Sequence, residues 1–66
     1  SVKRQIESIY NLLKTTKKVS FSEIIKTAGS RTEVIVNFLA ILELLKAEKI
    51  FITQNNSFED IEINKI

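Results

Sequence analysis

Apolar residues recur over positions 1–16 with the spacing of a helix. Val2, Ile6, Ile9, Tyr10 and Leu13 lie at offsets that match a period of about 3.6 residues. Polar and charged side chains fill most of the positions between them. The pattern predicts an amphipathic helix with one buried face, which ends near the two β-branched threonines at 15–16.

Two capping boxes predict where the next helices begin. Ser20 is followed three residues later by Glu23, and Ser30 by Glu33. At this spacing the serine hydroxyl accepts a hydrogen bond from the glutamate amide. We expect a short helix over 21–28 and a long helix over 31–48. Gly29 lies between them, where a left-handed backbone would end the short helix.

After residue 49 the pattern changes from helical to extended. β-branched and aromatic residues at 50–53, a polar cluster at 54–57 and alternating apolar residues near the C-terminus predict a hairpin with strands 50–54 and 58–63. The segment around Val19 is expected to add a third strand. This element order predicts an α+β winged helix, formed as a single domain over residues 1–66, with three helices and a small antiparallel sheet that ends in a β-hairpin wing.

The long helix is apolar around most of its circumference. Ten of the twelve residues from 34 to 45 are apolar, although a helix on a small core needs an apolar arc of only about 100°. Helical angles therefore predict one core face, a second apolar face directed outward, and a remaining flank. The core face comprises Val34, Ile35, Phe38, Ile41, Leu42 and Leu45; the outward face Val36, Leu39, Ala40 and Glu43; the flank Asn37 and Leu44.

The outward face favours a protein partner over nucleic acid. Reading bases in the major groove requires Arg, Lys, Asn or Gln, and this face offers no cation before Lys46. Apolar side chains there would be buried on docking. Three alternatives remain open: burial of the helix on both sides, self-association, and a DNA-binding winged-helix regulator. The last would use the basic cluster of Lys14, Lys17 and Lys18.

Composition removes several classes of chemistry. The chain has no Cys and no His, so zinc, haem and iron–sulfur ligation are nearly excluded. Catalysis by a Cys–His or Ser–His pair is excluded. The acids Glu59, Asp60 and Glu62 are expected to protect a hairpin edge rather than to bind a metal. No cofactor and no catalytic activity are expected, and no apolar run reaches the roughly 18 residues of a membrane span.

Charge is distributed unevenly along the chain. The net charge is +2, with seven cations and three acids in residues 1–33 and three cations and five acids in residues 34–66. This mild polarity differs from the concentrated basic face of a dedicated DNA-binding module. Because the chain opens with Ser1 rather than Met, we expect it to be a piece of a longer protein.

Three runs of sequence resemble the C-terminal domain of the ScpA family, the kleisin subunits of the prokaryotic SMC–ScpAB condensin. They are residues 19–24, 30–44 and 49–50, and the most specific is the pattern S-R-x-E-V-x-V-x-F-L-A-x-L-E-L in the second run. The resemblance covers nearly the whole chain. Ser57 and Glu59 stand where the family often has Pro and Gly.

The resemblance implies a non-catalytic winged helix that docks on the ATPase head of an SMC subunit. It further implies that the kleisin closes a ring around DNA, that other parts of the kleisin bind ScpB, and that DNA is met only through the complex. The expected location is cytoplasmic, on the nucleoid, with no membrane partner. We expect partner contacts at Arg31, Val36, Leu39, Ala40 and Glu43, with Phe51 and Phe58 as second choices.

Overall fold

The computed structural model describes residues 1–54 and 60–66 of the chain. These ranges contain three helices and three short strands, the first strand lying between the first two helices and the other two following the third helix. The α+β winged-helix architecture predicted from the sequence is confirmed in these ranges. The elements are α1 Val2–Thr16, β1 Lys18–Ser20, α2 Phe21–Lys26, α3 Arg31–Lys46, β2 Ile50–Thr53 and β3 Glu62–Lys65.

The predicted caps define the helix starts. The Ser20 hydroxyl accepts a hydrogen bond from the Glu23 amide at 3.2 Å, and the Ser30 hydroxyl accepts one from the Glu33 amide at 3.2 Å. Each bond satisfies one of the amides that a helix N-terminus leaves without an intrahelical partner. Both capping-box predictions are confirmed for the serine hydroxyl.

The predicted role of Gly29 is wrong. Its backbone is not left-handed, and α2 ends earlier than expected, at a right-handed Thr27. The Gly29 amide instead donates a hydrogen bond to the Glu33 carboxylate. A Cβ added at Gly29 would lie only 3.1 Å from Glu33 Oε2. The glycine is therefore suited to this close approach rather than to a left-handed turn.

The sheet has the order β1-β3-β2, and both strand pairs are antiparallel. Val19 pairs with Ile63 in one ladder, and Ile52 pairs with Ile63 in the other. The third strand around Val19 is thus confirmed. The last strand lies later than predicted, because its pairing with β1 and β2 runs over Glu62–Lys65. The predicted positions 55–59 of the hairpin lie outside the described residues.

The predicted core face of α3 is wrong. Its buried residues are Asn37, Ala40, Ile41 and Leu44. Of the residues predicted to face the core, Ile41 is buried, but Ile35, Phe38 and Leu42 are exposed. Ala40, predicted to point outward, is completely buried.

The packing of α1 against α3 explains the difference. Ala40 has the smallest apolar side chain in the middle of α3, so its position allows the closest approach of a neighbouring helix. Asn37 is buried because its side-chain oxygen accepts a hydrogen bond from the Gln5 amide group on α1. The core contains Ile9, Leu13, Val19, Ile24, Ala40, Ile41, Leu44, Ile50 and Ile63.

Asp60 connects the segment before β3 to the start of α2. Its carboxylate accepts hydrogen bonds from the Ser22 hydroxyl and from the Ser22 amide, the latter at 3.3 Å. The bond from the Ser22 hydroxyl holds the pKa of Asp60 below its ordinary value of 3.8. The carboxylate therefore acts here as an acceptor for a helix start.

The lowered pKa predicts how this connection depends on pH. A carboxyl group whose pKa is lower in the folded state stabilises the fold fully above its ordinary pKa, and this contribution is lost as pH falls through the native pKa. Asp60→Asn should therefore flatten the decline in unfolding free energy below about pH 4. Urea unfolding between pH 2 and 6 measures this, and an unchanged acid profile would contradict it. Glu7→Gln, which changes an exposed acid on α1, is the control.

Glu48 offers a test of the turn between α3 and β2. The Lys49 amide bonds to the Leu44 carbonyl and the Glu48 amide to the Leu45 carbonyl, both at 3.0 Å, and Glu48 has φ 57°. This is a Schellman motif with a non-glycine residue at its left-handed position. Glu48→Gly should raise the unfolding free energy by about 0.5–1 kcal/mol. Glu43→Gly, within the helix, should lower it by about 1 kcal/mol; equal effects of the two changes would contradict the prediction.

Candidate protein-docking surface

Four large apolar side chains lie exposed on one face of α3. Ile35 is 52% exposed, Phe38 49%, Leu39 42% and Leu42 39%. With 3.6 residues per turn, they fall within an arc of about 100°. We name Ile35, Phe38, Leu39 and Leu42 the α3 patch. Their spacing of i, i+3, i+4 and i+7 matches the anchors of a helix that docks in an apolar groove.

The α3 patch is exposed because the other sides of α3 are already occupied. Asn37, Ala40 and Leu44 face the interior, and half-buried Leu45 packs against the same core. A chain of 66 residues buries only about 60% of its unfolded surface. A continuous apolar face on a small domain is typical of a surface that binds another macromolecule.

The predicted contact residues are only partly brought together. Leu39 belongs to the α3 patch, and Arg31 and Glu43 are exposed on the same helix. Val36 is half-buried, and Ala40 is unavailable to a partner because it is completely buried.

Phe51 and Phe58 were predicted as additional partner contacts, and the structure describes only the first of them. Phe51 is exposed on β2. Its neighbour Ile50 is buried, so Phe51 points to the outer face of the sheet, away from the core. Phe58 lies outside the described residues.

Sequence reasoning missed Ile35, Phe38 and Leu42 as candidate contact residues. Hydrophobicity alone could not distinguish them from core residues, because apolar positions occur around most of α3. The buried side of α3 could have been found from Asn37 and Ala40, the one polar and the one small residue in the large apolar run at 34–42. A small residue next to a polar residue with a possible partner on α1 marks the side on which α1 packs.

The α3 patch is poorly suited to reading nucleic acid. Its four side chains have no hydrogen-bonding groups for base edges or phosphates. The predicted basic cluster is exposed, but Lys14 and Lys17 lie in and just after the last turn of α1, and Lys18 lies in β1. Lys14 stacks over the Tyr10 ring at 5.4 Å, and Lys18 pairs with Glu62 at 3.5 Å.

A concave surface, separate from the α3 patch, lies between α1 and the C-terminal half of α3. It is an open cleft of about 570 Å³ with Tyr10, Leu44 and Ala47 among its apolar lining residues. Glu43 and Lys49 contribute charges to its lining. The helical positions of Leu44 and Ala47 place this cleft on a different side of α3 from the α3 patch.

Residues 1–54 and 60–66 contain neither a candidate metal cluster nor a candidate membrane span. Within these ranges no three of the acidic, Cys or His side chains group into a possible metal site. No helix there combines the length and apolar composition needed to cross a bilayer.

Comparison with known proteins identifies the family. The family model for segregation and condensation protein ScpA matches residues 1–66. The chain belongs to the ScpA family. The ScpA relative from Clostridium acetobutylicum is 37% identical over 65 residues, which cover 98% of this chain and 26% of the relative.

Other ScpA relatives match this chain with similar identity and coverage. Segregation and condensation protein A of Brevibacillus brevis is 40% identical over 63 residues, covering 96% of this chain and 25% of the relative. Segregation and condensation protein A of Lactobacillus johnsonii is 35% identical over 66 residues, which cover 100% of this chain and 27% of the relative. The chain therefore spans about a quarter of the length of these curated relatives, and the resemblance stated from the sequence is confirmed at the level of the family.

Adjacent residues on α3 provide a test of the surface assignment. Leu39 is 42% exposed and Ala40 is 0% exposed. Leu39→Arg should change the unfolding free energy by less than about 1 kcal/mol. Ala40→Arg should cost about 3 kcal/mol or more, because a long charged side chain would have to enter a filled core. Urea unfolding measures both, and similar costs would show that the α3 patch is assigned to the wrong side.

Proposed function

We propose that this chain is the domain of a longer kleisin that docks on the ATPase head of an SMC protein. Membership of the ScpA family supports a role in chromosome segregation and condensation. The observation that carries the docking role is the α3 patch, a continuous apolar face on the helix that a DNA-binding winged helix uses for base reading.

The α3 patch is large enough to provide the centre of an interface. Fully burying a large aliphatic or aromatic side chain contributes about 1.5–3 kcal/mol. Each patch residue is about half exposed, so each retains about 1 kcal/mol of this gain for docking. Four neighbouring residues of this kind, with an aromatic ring among them, match the clustered anchors that dominate protein interfaces.

The proposed role is mechanical rather than catalytic. In this proposal the domain holds one end of the kleisin on the SMC head, while the remainder of the longer protein contacts ScpB and the other SMC subunit. The linked subunits close a ring that holds DNA, and ATP hydrolysis belongs to the head. The domain itself needs no cofactor, meets DNA only through the complex, and acts in the cytoplasm on the nucleoid.

A DNA-binding regulator is the alternative function. It is favoured by the winged-helix fold and by the exposed side chains of Lys14, Lys17 and Lys18. This alternative predicts an affinity for duplex DNA that falls steeply as salt rises. It leaves the exposed α3 patch without a role, so protein docking is the better-supported function.

Titration calorimetry against the SMC ATPase head of the same organism tests the proposal. Wild-type chain should bind one-to-one, and Leu39→Arg should weaken binding by about 30-fold or more, as expected for loss of an interface anchor. Leu12→Arg is the matched control, because Leu12 is an equally exposed leucine on α1, at 43%. It should leave the affinity within about twofold, as expected for a site outside the interface.

Two results would contradict the proposal. The first is the absence of head binding by a folded wild-type chain. The second is salt-sensitive binding to duplex DNA in a parallel titration, together with no heat from the head. Circular dichroism of each variant separates a lost contact from a lost fold.

A further inference from the structure

The charged residues of α3 are sorted by sign around the helix. There are four of them: Arg31, Glu33, Glu43 and Lys46. At 3.6 residues per turn, Arg31 and Lys46 fall within the same arc of about 100° as the α3 patch, at its two ends. Glu33 and Glu43 fall outside that arc. The α3 patch is therefore flanked along the helix axis by a cation at each end.

Helix stability does not explain the position of Arg31. It is the first residue of α3, where the helix dipole disfavours a positive charge. It forms no ion pair with any residue in the described part of the chain. An exposed arginine in this position is therefore free to meet a negative group on a partner.

Lys46 is also available at the opposite end. A lysine in the last turn is favoured by the helix dipole, so its presence has a local explanation. Its 3.5 Å ion pair with Glu43 is highly exposed at both side chains. Such surface pairs are weak, so Lys46 can exchange Glu43 for a carboxylate on a partner at little cost.

We infer that the partner surface covering the α3 patch is an apolar strip with carboxylates at both ends. The strip would be about 10 Å long, the rise from Ile35 to Leu42, and the two cations that meet its ends are about 22 Å apart along α3. This inference rests on the proposed function, and it adds the charge pattern of the SMC head surface. The apolar strip supplies burial, while the end charges fix the position of the helix along the strip.

The same pair of cations is less suited to nucleic acid. Phosphates could meet Arg31 and Lys46, but the four apolar side chains between them would face a charged and polar groove. A protein surface with an apolar strip and a carboxylate at each end complements both the α3 patch and its two flanking cations. Duplex DNA is therefore one arm of the test.

Charge reversal at each end tests the inference. Arg31→Glu and Lys46→Glu are compared with Lys3→Glu and Lys26→Glu, which reverse an exposed lysine in the first turn of α1 and the last turn of α2. All four variants lower the net charge by the same amount. Their affinity for the SMC head is measured by calorimetry at low and high ionic strength, with circular dichroism to verify folding.

Each reversal at an end of the α3 patch should weaken head binding about tenfold at low ionic strength, and the loss should shrink as salt screens the charges. The two control reversals should stay within about twofold. Equal losses in all four variants would overturn the inference, because only net charge would then matter. Unchanged affinity in Arg31→Glu and Lys46→Glu would overturn it too, while leaving the proposed docking intact.

The remaining outcomes concern the proposed function itself. If the folded wild-type chain does not bind the head, docking fails and the inference fails with it. If Arg31→Glu and Lys46→Glu abolish binding to duplex DNA and the head gives no signal, the cations serve phosphates and the inference is overturned. Arg31→Lys, which keeps the charge, should retain most of the wild-type affinity if the end contact is electrostatic.

Discussion

The contact between α1 and α3 determines how the rest of this domain is arranged. On the buried side of α3, Ala40 is completely buried, and Asn37, three residues earlier, accepts a hydrogen bond from Gln5 on α1. A buried polar group without a partner costs about 1–3 kcal/mol, so this bond strongly favours one rotation of α3 about its axis. Once the rotation is fixed, Ile41 and Leu44 complete the core, and the residues on the far side of the helix remain at the surface.

The elements could be predicted from the sequence because their signals are local. A serine that caps a helix acts on an amide three residues away, and both predicted caps are present. The face of α3 and the conformation of Gly29 could not be predicted in the same way. For Gly29 the missed contact is local: its amide donates to the carboxylate of Glu33, four residues later, which the capping-box pattern did not reveal. For the helix face the deciding side chain is Gln5 on α1, which reaches Asn37 only in the folded chain. The late start of β3 likewise depends on pairing with β1, more than forty residues earlier in the chain.

For the candidate site, the sequence correctly indicated an exposed apolar face on α3 but placed it on the wrong side. An almost uniformly apolar helix offers two orientations with similar burial, and hydrophobicity cannot choose between them. The choice comes from shape and hydrogen bonding, through the small side chain of Ala40 and the polar pair beside it. The exposure of Leu39 was predicted correctly, because this residue lies at the edge of the exposed arc, where the two orientations overlap.

In the proposed docking, α3 combines two physical roles on one helix. Burial of apolar side chains is nearly non-directional, so four such residues alone would permit several registers on a partner. Charges act over roughly 10 Å at ordinary ionic strength and discriminate strongly between like and unlike contacts. Cations at both ends, with the two acids outside the arc of the α3 patch, would restrict the register that burial leaves open. On this reasoning, the apolar middle of α3 supplies the burial that the proposed docking needs, and the cations at its two ends limit where along a partner surface the helix can settle.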